Sequence, residues 1–107
     1  MNIKDLIHSV FTRHSLMVSR PYTYKGETDF SFEFENCTFS ITISKKDNYF
    51  RLDLENETFG TYRLDVARVS VDKDLTSREA DSVYALIKRH CEDSITHTNP
   101  RYRMKLY

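Results

Sequence analysis

Residues 29–44 read DFSFEFENCTFSITIS, and their alternation decides the fold. Phe30, Phe32 and Phe34 alternate with Ser31, Glu33 and Glu35. Cys37, Phe39, Ile41 and Ile43 then alternate with Thr38, Ser40, Thr42 and Ser44. A period of two puts successive side chains on opposite sides of a strand. The apolar positions change from even to odd at Glu35-Asn36, which a tight hairpin there explains. It pairs Phe34 with Cys37, Phe32 with Phe39 and Phe30 with Ile41, apolar against apolar each time.

Working outward, the KKDN turn at 45–48 leads into YFRLDL at 49–54. The predicted register sets Ile43 against Phe50, Ile41 against Leu52 and Phe39 against Leu54. It also sets Thr38 against Glu55, Ser40 against Asp53 and Thr42 against Arg51. A third turn at Asn56-Glu57 places Phe59 opposite Leu54. Tyr62, Leu64 and Val66 then have the wrong parity, and a bulge at Gly60 is expected to return them to the core face. Upstream, Val18, Tyr22 and Tyr24 suit a further strand that turns at Lys25-Gly26.

Helices flank the strands. Ile3, Leu6, Ile7, Val10 and Phe11 form one apolar stripe, with Asn2 suited to the N-cap and Asp5 to the first turn. Ala80, Val83, Tyr84, Ile87 and Cys91 form a second stripe. Thr76 with Glu79 reads as a capping box, and Leu75 with Ala80 as a hydrophobic staple. This helix is expected to end near Asp93. Residues 94–107 are read as an edge strand or a mobile tail, since RYRMKLY alternates again. The expected fold class is α+β. The single domain of 1–107 has an N-terminal helix, an antiparallel meander of four to six strands and a C-terminal helix, with both helices on one face of the sheet.

Composition narrows the function. The 107 residues hold 16 Lys+Arg and 16 Asp+Glu, so neither a strongly basic nucleic-acid binder nor a polyacidic chain describes the whole. Two glycines leave little for a phosphate loop. The zero net charge hides an acidic stretch: residues 26–66 carry four bases and nine acids, flanked by basic ends. No apolar run approaches the roughly 18 residues of a membrane span. The charged N-terminal stretch does not read as a secretory signal. Cys37 and Cys91 match no paired motif, and reduced, buried thiols in a cytoplasmic protein are expected rather than a disulfide.

Candidate chemistry is thin. No CxxC, HExxH or G-x-S-x-G pattern occurs. His90 and Cys91 are adjacent on a helix and point about 100° apart, which suits no shared metal. No cofactor is expected. His97, Arg101, Tyr102 and Arg103 bring together residue types that a metal-independent ribonuclease toxin would use, although an alternating strand or tail explains them as well. Arg20, Lys88, Arg89, Arg101, Arg103 and Lys105 offer a basic patch for nucleic acid, diluted by Asp81, Glu92 and Asp93.

The expected function is non-enzymatic. The protein reads as a small interaction module whose acidic sheet face occupies a surface on a protein partner, such as a nucleic-acid-handling complex. A phage or mobile-element inhibitor of a host defence system, of the anti-CRISPR kind, is one setting. The expected partner-binding residues are Glu33, Asp53, Glu55 and Arg51, with Tyr102, Arg101 and Arg103 in the tail. An unpaired sheet edge also allows a homodimer.

Overall fold

The computed structural model describes residues 3–14, 17–71 and 75–98. Helix α1 (Ile3–His14) precedes strands β1 (Tyr22–Tyr24), β2 (Glu27–Phe34), β3 (Cys37–Lys45), β4 (Tyr49–Asn56) and β5 (Thr61–Ser70), and helix α2 (Ser77–Thr98) follows. The five strands form one antiparallel sheet in chain order. This is the predicted α+β meander with a helix at each end.

The central hairpin has the register that its alternation predicts, with Phe34 opposite Cys37, Phe32 opposite Phe39 and Phe30 opposite Ile41. Glu35 (φ +48°) and Asn36 (φ +65°) form the turn. Two left-handed residues match the twist of a two-residue hairpin. Lys25 (φ +51°) and Gly26 (φ +80°) do the same between β1 and β2. Val18 lies outside β1, but the chain before Pro21 still runs beside β2. The Ser19 N–H donates to Ser31 O at 2.8 Å, and the Ser31 N–H donates to Ser19 Oγ at 2.8 Å.

The register between β3 and β4 differs from the prediction by two residues. Phe39 faces Asn56, Ile41 faces Leu54 and Ile43 faces Leu52. The turn centres on Asp47-Asn48, closed by the Lys46 N–H donating to Tyr49 O at 2.8 Å. A shift of two keeps every side chain on its face, so apolar parity alone does not distinguish the two registers. Hydrogen bonds from Asn56 favour the observed one. Asn56 is buried beside Phe39, donates to Ser94 Oγ at 3.3 Å and accepts the Phe59 N–H at 3.1 Å. A buried amide left without such partners costs stability.

The third turn is correspondingly longer than predicted. It runs from Glu57 to Gly60, and the Gly60 N–H donates to Asn56 O at 2.8 Å. Gly60 (φ +69°) ends the turn and carries no bulge. The irregularity lies further along, opposite Asp53: Leu54 pairs with Arg63 while Leu52 pairs with Ala67. Asp65 (φ +57°) is its pivot. Aspartate tolerates this left-handed conformation better than most residues, and its N–H donates to Asp53 Oδ1 at 2.7 Å. Val66, Ala67 and Val69 are therefore buried, whereas Tyr62 and Leu64 each stay 68% exposed. The expected return of Tyr62 and Leu64 to the core does not occur.

Both helices cover the same side of the sheet. Ile7, Val10 and Phe11 of α1 are buried, and the Phe11 ring meets Phe30, Phe32 and Tyr84 with centroids 5.3, 4.8 and 5.0 Å apart. Ile87, Cys91 and Ile95 of α2 complete the core against Ile41, Ile43, Leu52 and Leu54. Helix α2 starts with the predicted capping box: Thr76 Oγ1 accepts the Glu79 N–H at 3.1 Å, and Glu79 Oε1 accepts the Thr76 N–H at 3.4 Å. It does not end near Asp93. Ser94 and Ile95 are buried and extend the stripe by another turn, so residues 94–98 are helix rather than strand or tail. No helix among the described residues is long and apolar enough to cross a membrane.

Candidate functional site

With both helices on the Phe30–Phe39 side, the described residues leave the other face of the sheet bare. Its side chains follow from the register. One row crosses Tyr24, Glu27, Ser44, Arg51 and Arg68. The next crosses Tyr22, Asp29, Thr42 and Asp53, and meets the bulge at Asp65. A third crosses Ser31, Ser40, Glu55 and Tyr62. The last holds Glu33 and Thr38. The expected centre of hydroxyls among carboxylates is present, but Glu55 sits beside Ser40 and not beside Thr38, and Asp53 beside Thr42 and not beside Ser40. Arg51 faces Ser44, not Thr42.

Two of the expected contact residues are committed to each other. Arg51 Nη2 donates to Asp53 Oδ2 at 3.0 Å, with the Asp53 side chain only 15% exposed. Asp53 also holds the bulge through its bond to Asp65 N–H. Asp65 in turn accepts three bonds from Arg68, at 2.6, 2.9 and 3.1 Å. The Arg68 guanidinium lies over the Tyr49 ring, 4.6 Å from its centroid. The guanidinium beside Asp65 holds its carboxyl below the usual aspartate range. Arg51 and Asp53 are thus bonded to each other and to the bulge on this face.

The remaining acids are not matched this way. Glu27, Asp29 and Glu33 are exposed and Glu55 is half-buried. None of these four makes an ion pair among the described residues. Glu55 lies opposite Tyr62, and its neighbouring carboxylate raises the phenol's pKa. A depression of about 300 Å³ opens over Ser31, Ser40 and Thr42, bounded by Asp29, Glu55 and Tyr22. Aromatic side chains stand at both edges of the face, Tyr22 and Tyr24 on β1 and Tyr62 on β5, all at least 60% exposed. Sequence reading missed Asp29 and Tyr62. Asp29 was legible from the pairing, since it lies opposite Thr42, whereas Tyr62 was hidden by the misplaced bulge.

Elsewhere the chemistry is structural. Cys37 and Cys91 are free and buried; burial pushes the Cys91 thiol up to about 12 and raises Cys37 as well. Neither is a poised thiolate nucleophile. His90 lies 3.3 Å from Arg63 through Nδ1, and burial followed by the Arg63 charge lowers its pKa. Among the described residues no group of three or more His, Cys, Asp and Glu stands together as a metal site. Arg101, Tyr102 and Arg103, and the side chain of His97, lie outside the described residues.

No protein-family model matches the chain, and neither a curated protein nor a solved structure matches it.

Proposed function

We propose that this protein is a small interaction module that docks a basic protein surface onto the bare face of its sheet. One observation carries the reading. After Arg51 with Asp53 and Arg68 with Asp65 are matched, the face retains Glu27, Asp29, Glu33 and Glu55 without an ion-pair partner among the described residues. A negative face attracts a positive partner over a distance comparable to the Debye length and repels nucleic acid. Exposed tyrosines at both edges add contact area that tolerates water until it is buried.

A surface that binds a nucleic-acid-handling protein in its basic groove would act as a competitive inhibitor. The phage or mobile-element setting, with a host defence complex as the target, is supported by this charge pattern alone. The test compares the wild-type protein with a variant carrying Glu27→Lys, Asp29→Lys, Glu33→Lys and Glu55→Lys. Each is used to capture partners from host cells, and the captured protein is purified and titrated back. The expected partner binds the wild type, weakens as salt rises and is lost from the folded variant. A partner that binds both equally, or retention of nucleic acid by the wild type at low salt, overturns the reading.

A further inference from the structure

The bare face has two halves with the same acceptors, and only one of them is filled. In the first half, Asp53, Asp65 and the Tyr49 ring hold the guanidinium groups of Arg51 and Arg68 at bonding distance. In the second half, Glu55 lies beside Ser40 and Asp29 beside Thr42, Ser31 supplies a further hydroxyl, and Tyr22 stands beside Asp29 at the margin. No cation is paired there among the described residues. Arg20, at the rim, is exposed and makes no ion pair among them.

We propose that the depression over Ser40 is an anchor pocket for an arginine side chain of the docked partner. This inference rests on the reading that the bare face binds a basic protein, and it specifies which cation the face selects. The backbone positions of Asp29 and Glu55 lie two strands and two residues apart, about 12 Å by the spacing of a sheet. An ammonium is a compact charge with three donors. A guanidinium has five donors in a planar fork and also stacks on an aromatic face. The Glu55 carboxylate, opposite Tyr62, makes no ion pair among the described residues and has lone pairs for the newcomer. Beside it, exposed Leu64 and Tyr62 offer an apolar contact for the residue next to the arginine.

The filled half shows the chemistry at work in this same sheet. Arg68 both bonds a carboxylate and stacks on Tyr49. An arginine entering the second half would meet a carboxylate and Tyr22 in the same combination. It would add no buried unpaired charge, since Asp29 and Glu55 together exceed it. The surrounding hydroxyls satisfy whichever donors the carboxylates do not.

The test uses the full chain, labelled with nitrogen-15, and two probes of equal charge, a hexa-arginine and a hexa-lysine peptide. The arginine peptide is expected to bind about tenfold tighter, the scale of one extra charge-assisted hydrogen bond. Its amide shifts should centre on Ser31, Ser40, Thr42 and Glu55. Asp29→Asn with Glu55→Gln should abolish the preference, while Glu33→Gln, in the row beyond, should leave it. Equal binding of the two peptides, shifts spread evenly over all the acids, or a preference that survives the Asp29 and Glu55 changes each overturn the pocket. The spectra also report whether each variant is folded. If the four-lysine variant loses the partner while the peptides bind equally, the docking reading stands and the arginine pocket fails. If that variant keeps the partner, the docking reading fails whatever the peptides do.

Discussion

The two halves of the bare sheet face carry similar side chains and put them to opposite uses. Around Asp53 the carboxylates are answered from within: Arg51 at 3.0 Å, the Asp65 N–H at 2.7 Å, and Arg68 closing on Asp65. Around Ser40 the carboxylates Asp29 and Glu55 make no ion pair among the described residues, and Arg20 at the rim stays unbonded to them. The difference separates charge that holds a fold from charge that is available to a partner. Net charge and alternation do not make that distinction, because an acid on an exposed strand position reads the same in either case. Only the register, and the bulge that brings Asp65 over Asp53, tells them apart.

The largest effect of breaking the comparison falls on the first half. Asp53→Ala removes an acceptor for Arg51 and the anchor of the bulge, leaving two donors on a partly buried surface. Losing hydrogen bonds to a charged group costs about 1.5–3 kcal/mol. The expected outcome is a loss of about 2–3 kcal/mol in urea unfolding, with an unchanged m-value. Asp29→Ala, in the second half, should cost within about 0.5 kcal/mol, as exposed substitutions usually do. Equal losses at Asp53 and Asp29 would erase the division between the halves.

A smaller effect appears with pH. The guanidinium beside Asp65 lowers its pKa in the folded protein. A carboxyl whose folded pKa is depressed adds stability above its unfolded value, and that stability is lost as pH falls through the folded value. Unfolding midpoints measured from neutral pH down through the aspartate range should therefore decline, and Asp65→Asn should flatten part of that decline. A slope unaltered by Asp65→Asn would show that the Arg68 pair contributes nothing measurable, a known outcome for exposed pairs.

What the sequence made legible follows the same line. The meander, the Glu35-Asn36 turn, the capping box at Thr76 and Glu79, and the shared face of both helices all come from periodicity and turn chemistry, which are local signals. The two-residue offset between β3 and β4 was not legible, because a shift of two preserves parity. It is decided by Asn56, whose partners Ser94 and Phe59 lie 38 and three residues away. The position of the bulge was missed for a related reason. Gly60 looks permissive, but the strain is taken up by an aspartate whose N–H finds a carboxylate on the neighbouring strand. The length of α2 was misread because Ser94 is polar, and its burial makes sense only once Asn56 is beside it. For the candidate site, Glu33, Glu55, Arg51 and Asp53 all lie on the face that alternation predicts, Arg51 and Asp53 bonded to each other, whereas Asp29 and Tyr62 on the same face were not singled out.

The smallest expected effect tests the exposed edge of the second half. Tyr62 and Leu64 are each 68% exposed, and a core reading would make their truncation costly. Losing a buried leucine side chain to alanine removes about 2–5 kcal/mol. The bulge turns both residues outward, so Leu64→Thr with Tyr62→Ser should change unfolding stability by less than about 0.5 kcal/mol. The same pair of changes should weaken binding of the partner identified by capture, because exposed aromatic and aliphatic side chains gain their free energy only when a second surface covers them. Stability and binding thus move independently here, whereas at Asp53 they move together through the fold. A large stability loss from the Tyr62 and Leu64 changes would mean that these side chains are packed in solution, and the bulge at Asp65 would then have to lie elsewhere.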